Sequence, residues 1–362
     1  MEKGNIVVSA PGRLCLLGEH QDYFGLSIIA AAVNLRIRVS GKKRQDQIMR
    51  IDLPDINQKE EFPLDKELPY EKKRDYLKSS VNILRRKGVV FSSGFNCQIS
   101  GNIPINSGSA SSSALVVAWI KFLLEAAKDN RAQSNEKIAE LAYSAEVAEF
   151  KEPGGKMDHY TSSLGNIVYI DFRKDIALKR FKKPLKEFVL ADSLQRKDTT
   201  GMLQFIKTNV YRGLAILQKK FPHFHLRSYA GKNIMAEIEK LPAVPQRLLK
   251  GTLLTKNITK EGLDLFNSKG FDHDYFGKLL LKQYELQRDH LQISTDKLNK
   301  MIDQSLEAGA LGAKINGSGA GGCMFAYAPN KAEKVKKALE RLGTKATIIQ
   351  VDEGACTISH QH

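Results

Sequence analysis

The chain has 362 residues, 42% of them hydrophobic and 27% charged, which suits a soluble protein of two packed domains rather than one core. No window approaches the roughly 18 uninterrupted apolar residues of a membrane span, and the opening MEKGNIVVSAPGR has no apolar stretch long enough for a signal peptide. The formal charge of +16 raises the question of nucleic acid, whose binding is dominated by neutralised phosphates. Its clusters, such as Lys42-Lys43-Arg44 and Arg85-Arg86-Lys87, are short, scattered and not interleaved with aromatics. Solvated helix faces and a general attraction for anionic substrates are therefore expected, with nucleic acid as a minor alternative. Cys15, Cys97, Cys323 and Cys356 lie far apart in apolar surroundings, with no zinc spacing, so a reducing cytoplasm is expected.

In chain order, residues 5–9 read as a strand entering a turn at Ala10-Pro11-Gly12. Leu26–Ser40 reads as buried strands with one tight corner. Residues 74–87 carry Tyr76, Leu77, Val81 and Leu84 at helical spacing and close on Gly88. Val89–Ile99 reads as a strand, and a Gly/Ser/Asn-rich loop leads straight into the apolar helix 114–127. A helix over 135–150 precedes the break at Pro153-Gly154-Gly155; 157–164 looks helical and 166–172 strand-like. Longer amphipathic helices follow at 203–220, 246–256, 275–287 and 294–308, with strands near 188–191, 323–328 and 346–351. This change of texture places a domain boundary between about 172 and 188, taken as domains 1–180 and 181–362. The class is α+β.

Three segments carry chemistry. In the first, Ala10 to Gly25, an apolar run broken by Gly18 leads to Glu19, His20 and Asp22, donors and acceptors at the close spacing that a polyol needs. Arg13 adds a permanent cation able to steady a developing anion. Spacing alone leaves open a turn whose charges simply face water. In the second, Ser107, Gly108, Ser109, Ala110, Ser111, Ser112 and Ser113 run into a helix. Small residues let backbone N–H groups approach a phosphate, and a serine hydroxyl is a suitable Mg²⁺ ligand. Without a Walker-type lysine this is no P-loop, and a flexible linker is the competing reading. The third, Lys314 to Cys323, places Gly317, Gly319, Gly321 and Gly322 within six residues between a helix and a strand, a sign of tight turns or close approach to a ligand.

Together and in this order the segments resemble the three motifs of the GHMP kinase superfamily, and PGRLCLLGEHQDYFG resembles the galactokinase signature. The resemblance implies an N-terminal domain like ribosomal protein S5 domain 2, a ferredoxin-like C-terminal domain, and an active site between them. It implies ATP and Mg²⁺, with Asp158 taking the proton of the attacking hydroxyl beside Arg13. Glu19, His20 and Asp22 would hold sugar hydroxyls, Ser113 and Glu146 the metal, and Gly317 and Gly319 would lie in the loop against the phosphate site. The expected reaction is phosphorylation of a neutral monosaccharide at its anomeric hydroxyl. Another small alcohol (heptose, uronate or a mevalonate-like acceptor) is the alternative. Gln21 and Phe24 stand where the signature usually has Thr and Asn, and the Tyr-x-x-Arg element that helps hold galactose is not recognisable after Ser193.

Overall fold

In a computed structural model, residues 5–104, 108–196 and 198–358 are described and form two sheets with helices packed on them. The larger sheet holds β1 (Asn5–Leu17), β2 (Ser27–Lys43), β3 (Ile48–Leu53), β4 (Gln58–Pro63), β5 (Phe95–Gly101), β6 (Ile167–Asp171) and β7 (Ala177–Phe181). Its helices are α1 (Tyr76–Arg86), α2 (Ser111–Ala126), α3 (Asn135–Tyr143) and α4 (Met157–Leu164). The smaller antiparallel sheet runs β11-β8-β10-β9, from β8 (Phe188–Asp192), β9 (Gly312–Ile315), β10 (Cys323–Tyr327) and β11 (Lys345–Ile349). Around it lie α5 (Thr199–Gln218), α6 (Lys232–Ile238), α7 (Ala243–Asn267), α8 (His273–Glu285), α9 (Asp296–Glu307) and α10 (Ala332–Glu340). The last strand, β12 (Cys356–Thr357), returns to pair with β1, so the end of the chain joins the first sheet. No helix among the described residues is long and apolar enough to cross a membrane.

Three local expectations are corrected by strand pairing. The expected turn at Ala10-Pro11-Gly12 lies inside β1, which continues to Leu17 with an irregularity between Pro11 and Gly12. An offset there accommodates a residue that donates no ladder bond. The expected corner within 26–40 is absent because β2 is one 17-residue strand. It changes partner instead, pairing β6 over residues 27–31 and β5 over 37–43. The expected strand from Val89 begins only at Phe95, after Gly94 has donated to the Asp46 carbonyl.

Elsewhere the periodicity reads true. α2 is apolar on every side because it is buried on every side: Val117, Trp119, Phe122 and Leu123 have no exposed surface and pack in one core with β2, β3 and β5. The helix expected at 135–150 ends as α3 followed by a π-turn over Ser144–Ala148. That extra residue in the turn rotates Glu146 inward, where it is 5% exposed.

Candidate active site

A cleft opens where β1, the start of α2, the start of α4 and the β9–β10 connection converge. Ala110 takes the left-handed conformation at the N-cap of α2 (φ +61°), which bends the chain so that Ser111–Ser113 form the first helical turn on the cleft wall. The N–H groups of such a turn have no partners within the helix, and the helix dipole adds positive potential there. Gly108, Ala110, Ser111, Ser112 and Ser113 line the cleft. Ser109 is buried behind it and its carbonyl accepts from the Arg13 N–H at 3.3 Å. Ser107 lies outside the described residues.

Opposite this turn, Asp158 sits in the first turn of α4. The Arg13 guanidinium, 3% exposed, donates through Nε to Asp158 Oδ1 at 2.7 Å and through Nη1 to the Gly108 carbonyl at 2.6 Å. One cation therefore fixes the carboxylate relative to the phosphate loop. Asp158 keeps 29% of its side chain exposed, enough to meet a ligand.

The Glu19-His20-Asp22 cluster lines the same cleft. His20 is held at φ +62°, and its Nδ1 lies 2.7 Å from the Tyr23 hydroxyl while Nε2 is buried without a partner among the described residues. Burial lowers its pKa to about 4, so the ring is neutral at physiological pH. Asp22 Oδ2 accepts from the Met157 N–H at 3.0 Å, and burial pushes its carboxyl up to about 6. A Cβ at Gly155 would lie 2.0 Å from that oxygen, so only glycine fits beside it.

Glu19 has a partner that sequence reasoning missed. Lys314, on β9 and fully buried, donates to Glu19 Oε2 at 3.0 Å and to the Cys15 and Ile315 carbonyls at 2.8 Å. The third segment is thus a hairpin between β9 and β10, not the expected helix-to-strand connection. A lysine inside a four-residue strand hid it from a hydropathy pattern. Next to it, Asn316 ties all three motifs with one amide: Oδ1 accepts from the Cys15 N–H at 3.0 Å, and Nδ2 donates to the carbonyls of Gly108 (3.1 Å) and Arg13 (3.4 Å).

Gly317 lines the cleft, whereas Gly319 is turned against Ile293, behind it. At Gly317 (φ +82°) a Cβ would sit 2.8 Å from the Gly108 carbonyl oxygen. Gly317→Ala is therefore expected to displace the phosphate loop at a cost of roughly 1–3 kcal/mol, raising the KM for ATP about tenfold or more. An unchanged KM for ATP in steady-state assays would contradict this.

Glu146 Oε2 lies 2.7 Å from His159 Nε2. Burial opposes the Glu146 charge, but His159 and the Ser113 and Ser112 hydroxyls outweigh it and hold the carboxyl below its usual range. The far end of the cleft adds Arg74 and Tyr76, with Arg74 Nη2 donating to Glu152 Oε2 at 3.1 Å. Thr199, Leu203 and Ser318 bring residues from beyond β8 into the lining. Apart from Ser318, which belongs to the third segment, none of these stood in a recognisable motif.

A helix start and an arginine-steadied carboxylate lining one cleft, with a cluster of donors and acceptors alongside, suit a kinase acting on a small molecule. Comparison supplies the family. The GHMP kinases N-terminal domain matches residues 75–166, the GHMP kinases C-terminal domain 263–345, and the galactokinase galactose-binding signature 1–43, together more than half of the chain. The chain belongs to the GHMP kinases, and within them to the galactokinase-like sugar kinases. It is 27% identical to a galactokinase of Mannheimia succiniciproducens, over 97% of this chain and 93% of that one. It is also 26% identical to a mevalonate kinase of Thermococcus gammatolerans, over 96% of each. In structure it is similar to Lactococcus lactis galactokinase complexed with galactose, with a TM-score of 0.83 at 20% identity, covering 98% and 96% of the two chains.

Proposed function

We propose that this kinase transfers the γ-phosphoryl group of ATP to the anomeric hydroxyl of a monosaccharide with a neutral ring. Residues 1–180 would supply the phosphate loop and hydroxyl ligands, and 181–362 the glycine-rich closing wall. The observation that carries the reading is the 2.7 Å contact between Arg13 and Asp158, on the wall that faces the start of α2 and adjoins Glu19, His20 and Asp22. The match of residues 1–43 to the galactose-binding signature supports a sugar as acceptor.

In this mechanism the first turn of α2 holds the phosphates through its N–H groups and the Ser111–Ser113 hydroxyls. The sugar oxygen attacks the γ-phosphorus in line, the bond to the ADP oxygen breaks, and Asp158 takes the hydroxyl proton late in the step. Arg13 orients Asp158 and stabilises the charge of the transferring group. Ser113 and Glu146 would hold Mg²⁺: one hydroxyl and one carboxylate kept ionised suit an ion that completes its shell with nucleotide phosphates and water. When bound, that ion neutralises phosphate charge. The four cysteines are all free, which suits a reducing cytoplasm.

Lys314 changes one argument about specificity. A bare Glu19 carboxylate would repel an acidic acceptor, but Glu19 is neutralised from behind, so uronates and a mevalonate-like acid belong in the test. The deciding experiment is a coupled kinase screen over neutral hexoses, deoxyhexoses, heptoses, uronates and mevalonate, with Asp158→Asn as control. Turnover of a neutral sugar well above that control supports the reading. A uronate or mevalonate turned over as fast as the best neutral sugar defeats it, as does silence throughout once sugar phosphates are added to the screen. Binding to RNA at 150 mM salt without any kinase activity would favour the nucleic-acid alternative.

Protonation of Asp22 removes its capacity to accept two sugar hydroxyls. The sugar KM is therefore expected to rise as pH falls through about 6, with kcat less affected, and Asp22→Asn is expected to flatten that rise. Initial rates between pH 5 and 8 check both.

A further inference from the structure

The acceptor end of the cleft does not close at Asp22. Asp22, Tyr23, Gly154 and Gly155 are also walls of a second cavity, which continues past the Glu19-His20-Asp22 cluster. Three cations face it: Lys156 from the loop before α4, Arg173 from beyond β6, and Lys207 from α5. Lys156 lies 5.2 Å from the centre of the Tyr143 ring, and both lysines are half-buried. Among the described residues neither Lys156 nor Lys207 has an ion-pair partner. Arg173 binds Asp171, but Asp171 is shared with Arg227, so this three-membered group keeps a net positive charge. The only carboxylate in the lining is Asp22, whose Oδ2 is taken up by the Met157 N–H.

Partly desolvated lysines without counter-ions gather positive potential in a concave site, and charge-assisted hydrogen bonds from them offset the hydration that an anion gives up on entering. A neutral hexose confined to the ring pocket uses none of this. Resting on the proposed sugar-kinase reading, we infer that the annex receives an anionic arm of the acceptor. The substrate is then a sugar whose ring is neutral and whose exocyclic arm carries a phosphate monoester, seated between Lys156, Lys207 and Arg173. Gly154 leaves the passage open. A Cβ at Gly154 would meet nothing closer than Val147 at 3.6 Å, while at Gly155 the Asp22 carboxylate occupies the place of a side chain.

The test compares kcat/KM for hexoses and their 6-phosphates, and heptoses and their 7-phosphates, each ester against its own neutral parent within one protein. At least one ester is expected to exceed its parent by about tenfold or more, mainly through KM. That ratio is expected to fall to about one in Lys156→Ala/Lys207→Ala and to persist in Lys156→Arg/Lys207→Arg. Sulfate, as the probe anion, is expected to inhibit the wild type competitively against the ester, and far less in the alanine variant. Neutral sugars turned over at least as well as every ester would overturn the annex while leaving the sugar-kinase reading intact, as would an ester advantage that survives both alanines. If no sugar, neutral or phosphorylated, is turned over although MgATP binds, the underlying reading fails with it.

Discussion

Asp158→Asn is expected to lower kcat by about 10²–10⁴-fold, the usual contribution of a positioned proton acceptor, while changing the KM for ATP and sugar only a few-fold. The asparagine amide still offers an oxygen to Arg13 Nε, now 2.7 Å from Asp158 Oδ1, so the loop contact through Gly108 is expected to survive. What is lost is the basic oxygen. Arg13→Lys is expected to be nearly as damaging for a different reason. A lysine cannot reach Asp158 and the Gly108 carbonyl with the planar fork that now spans them. A loss in kcat with intact nucleotide binding marks Asp158 as acting in the transition state. An Asp158→Asn enzyme retaining more than a tenth of wild-type kcat would remove it from that role.

The second large effect is on stability. Lys314 has no exposed surface and Glu19 is 2% exposed, so Lys314→Met leaves an uncompensated carboxylate in a dry site. Breaking a buried pair from one side costs roughly 3–5 kcal/mol, which corresponds to a loss of roughly 5–10 °C in Tm. It also strands the Cys15 and Ile315 carbonyls that Lys314 now satisfies. Lys314→Met/Glu19→Gln is expected to recover much of the Tm, because the charge and its partner leave together. Sugar affinity is expected to remain impaired in both, since Glu19 or its substitute has lost its fixed position. Thermal melts of the three proteins check the first part and sugar KM the second. A single variant that melts with the wild type would show the pair to be of little structural weight.

The two effects concern different layers of one site. In the proposed mechanism Asp158 and Arg13 meet the reacting groups, whereas Lys314 and Asn316 stand behind them and fix the spacing of the three motifs. Asn316 bridges Cys15, Arg13 and Gly108 with a single side chain, so a shift of the β9–β10 hairpin is transmitted directly to the phosphate loop. Gln287 supports the hairpin from the π-turn after α8, pairing its amide with the Ile315 N–H and C=O at 3.1 Å each. Such a side chain, bonded to backbone at both ends, leaves no trace in a hydropathy pattern.

Much was legible in the chain itself. Helices with a clear apolar stripe or an all-apolar run, such as α2 and α9, follow from periodicity, because burial of those faces is what stabilises them, whereas α7, expected only over 246–256, runs over Ala243–Asn267. The phosphate loop, the Glu19-His20-Asp22 cluster and Asp158 are local strings whose residue types state their chemistry. Strand limits were less legible, since β1 and β2 owe their length to the partners they exchange, and β9 contains Gly and Lys against any strand preference. The sequence by itself therefore determined the family and most of the helices, though not α6 or α10, because these rest on short-range pattern and chemistry. Tertiary structure alone decided that Glu19 is neutralised by a residue 295 positions away, that Gly319 faces Ile293 rather than the cleft, and that Lys156 and Lys207 share a cavity. Those are long-range contacts, and no local periodicity encodes which distant side chain a buried charge will meet.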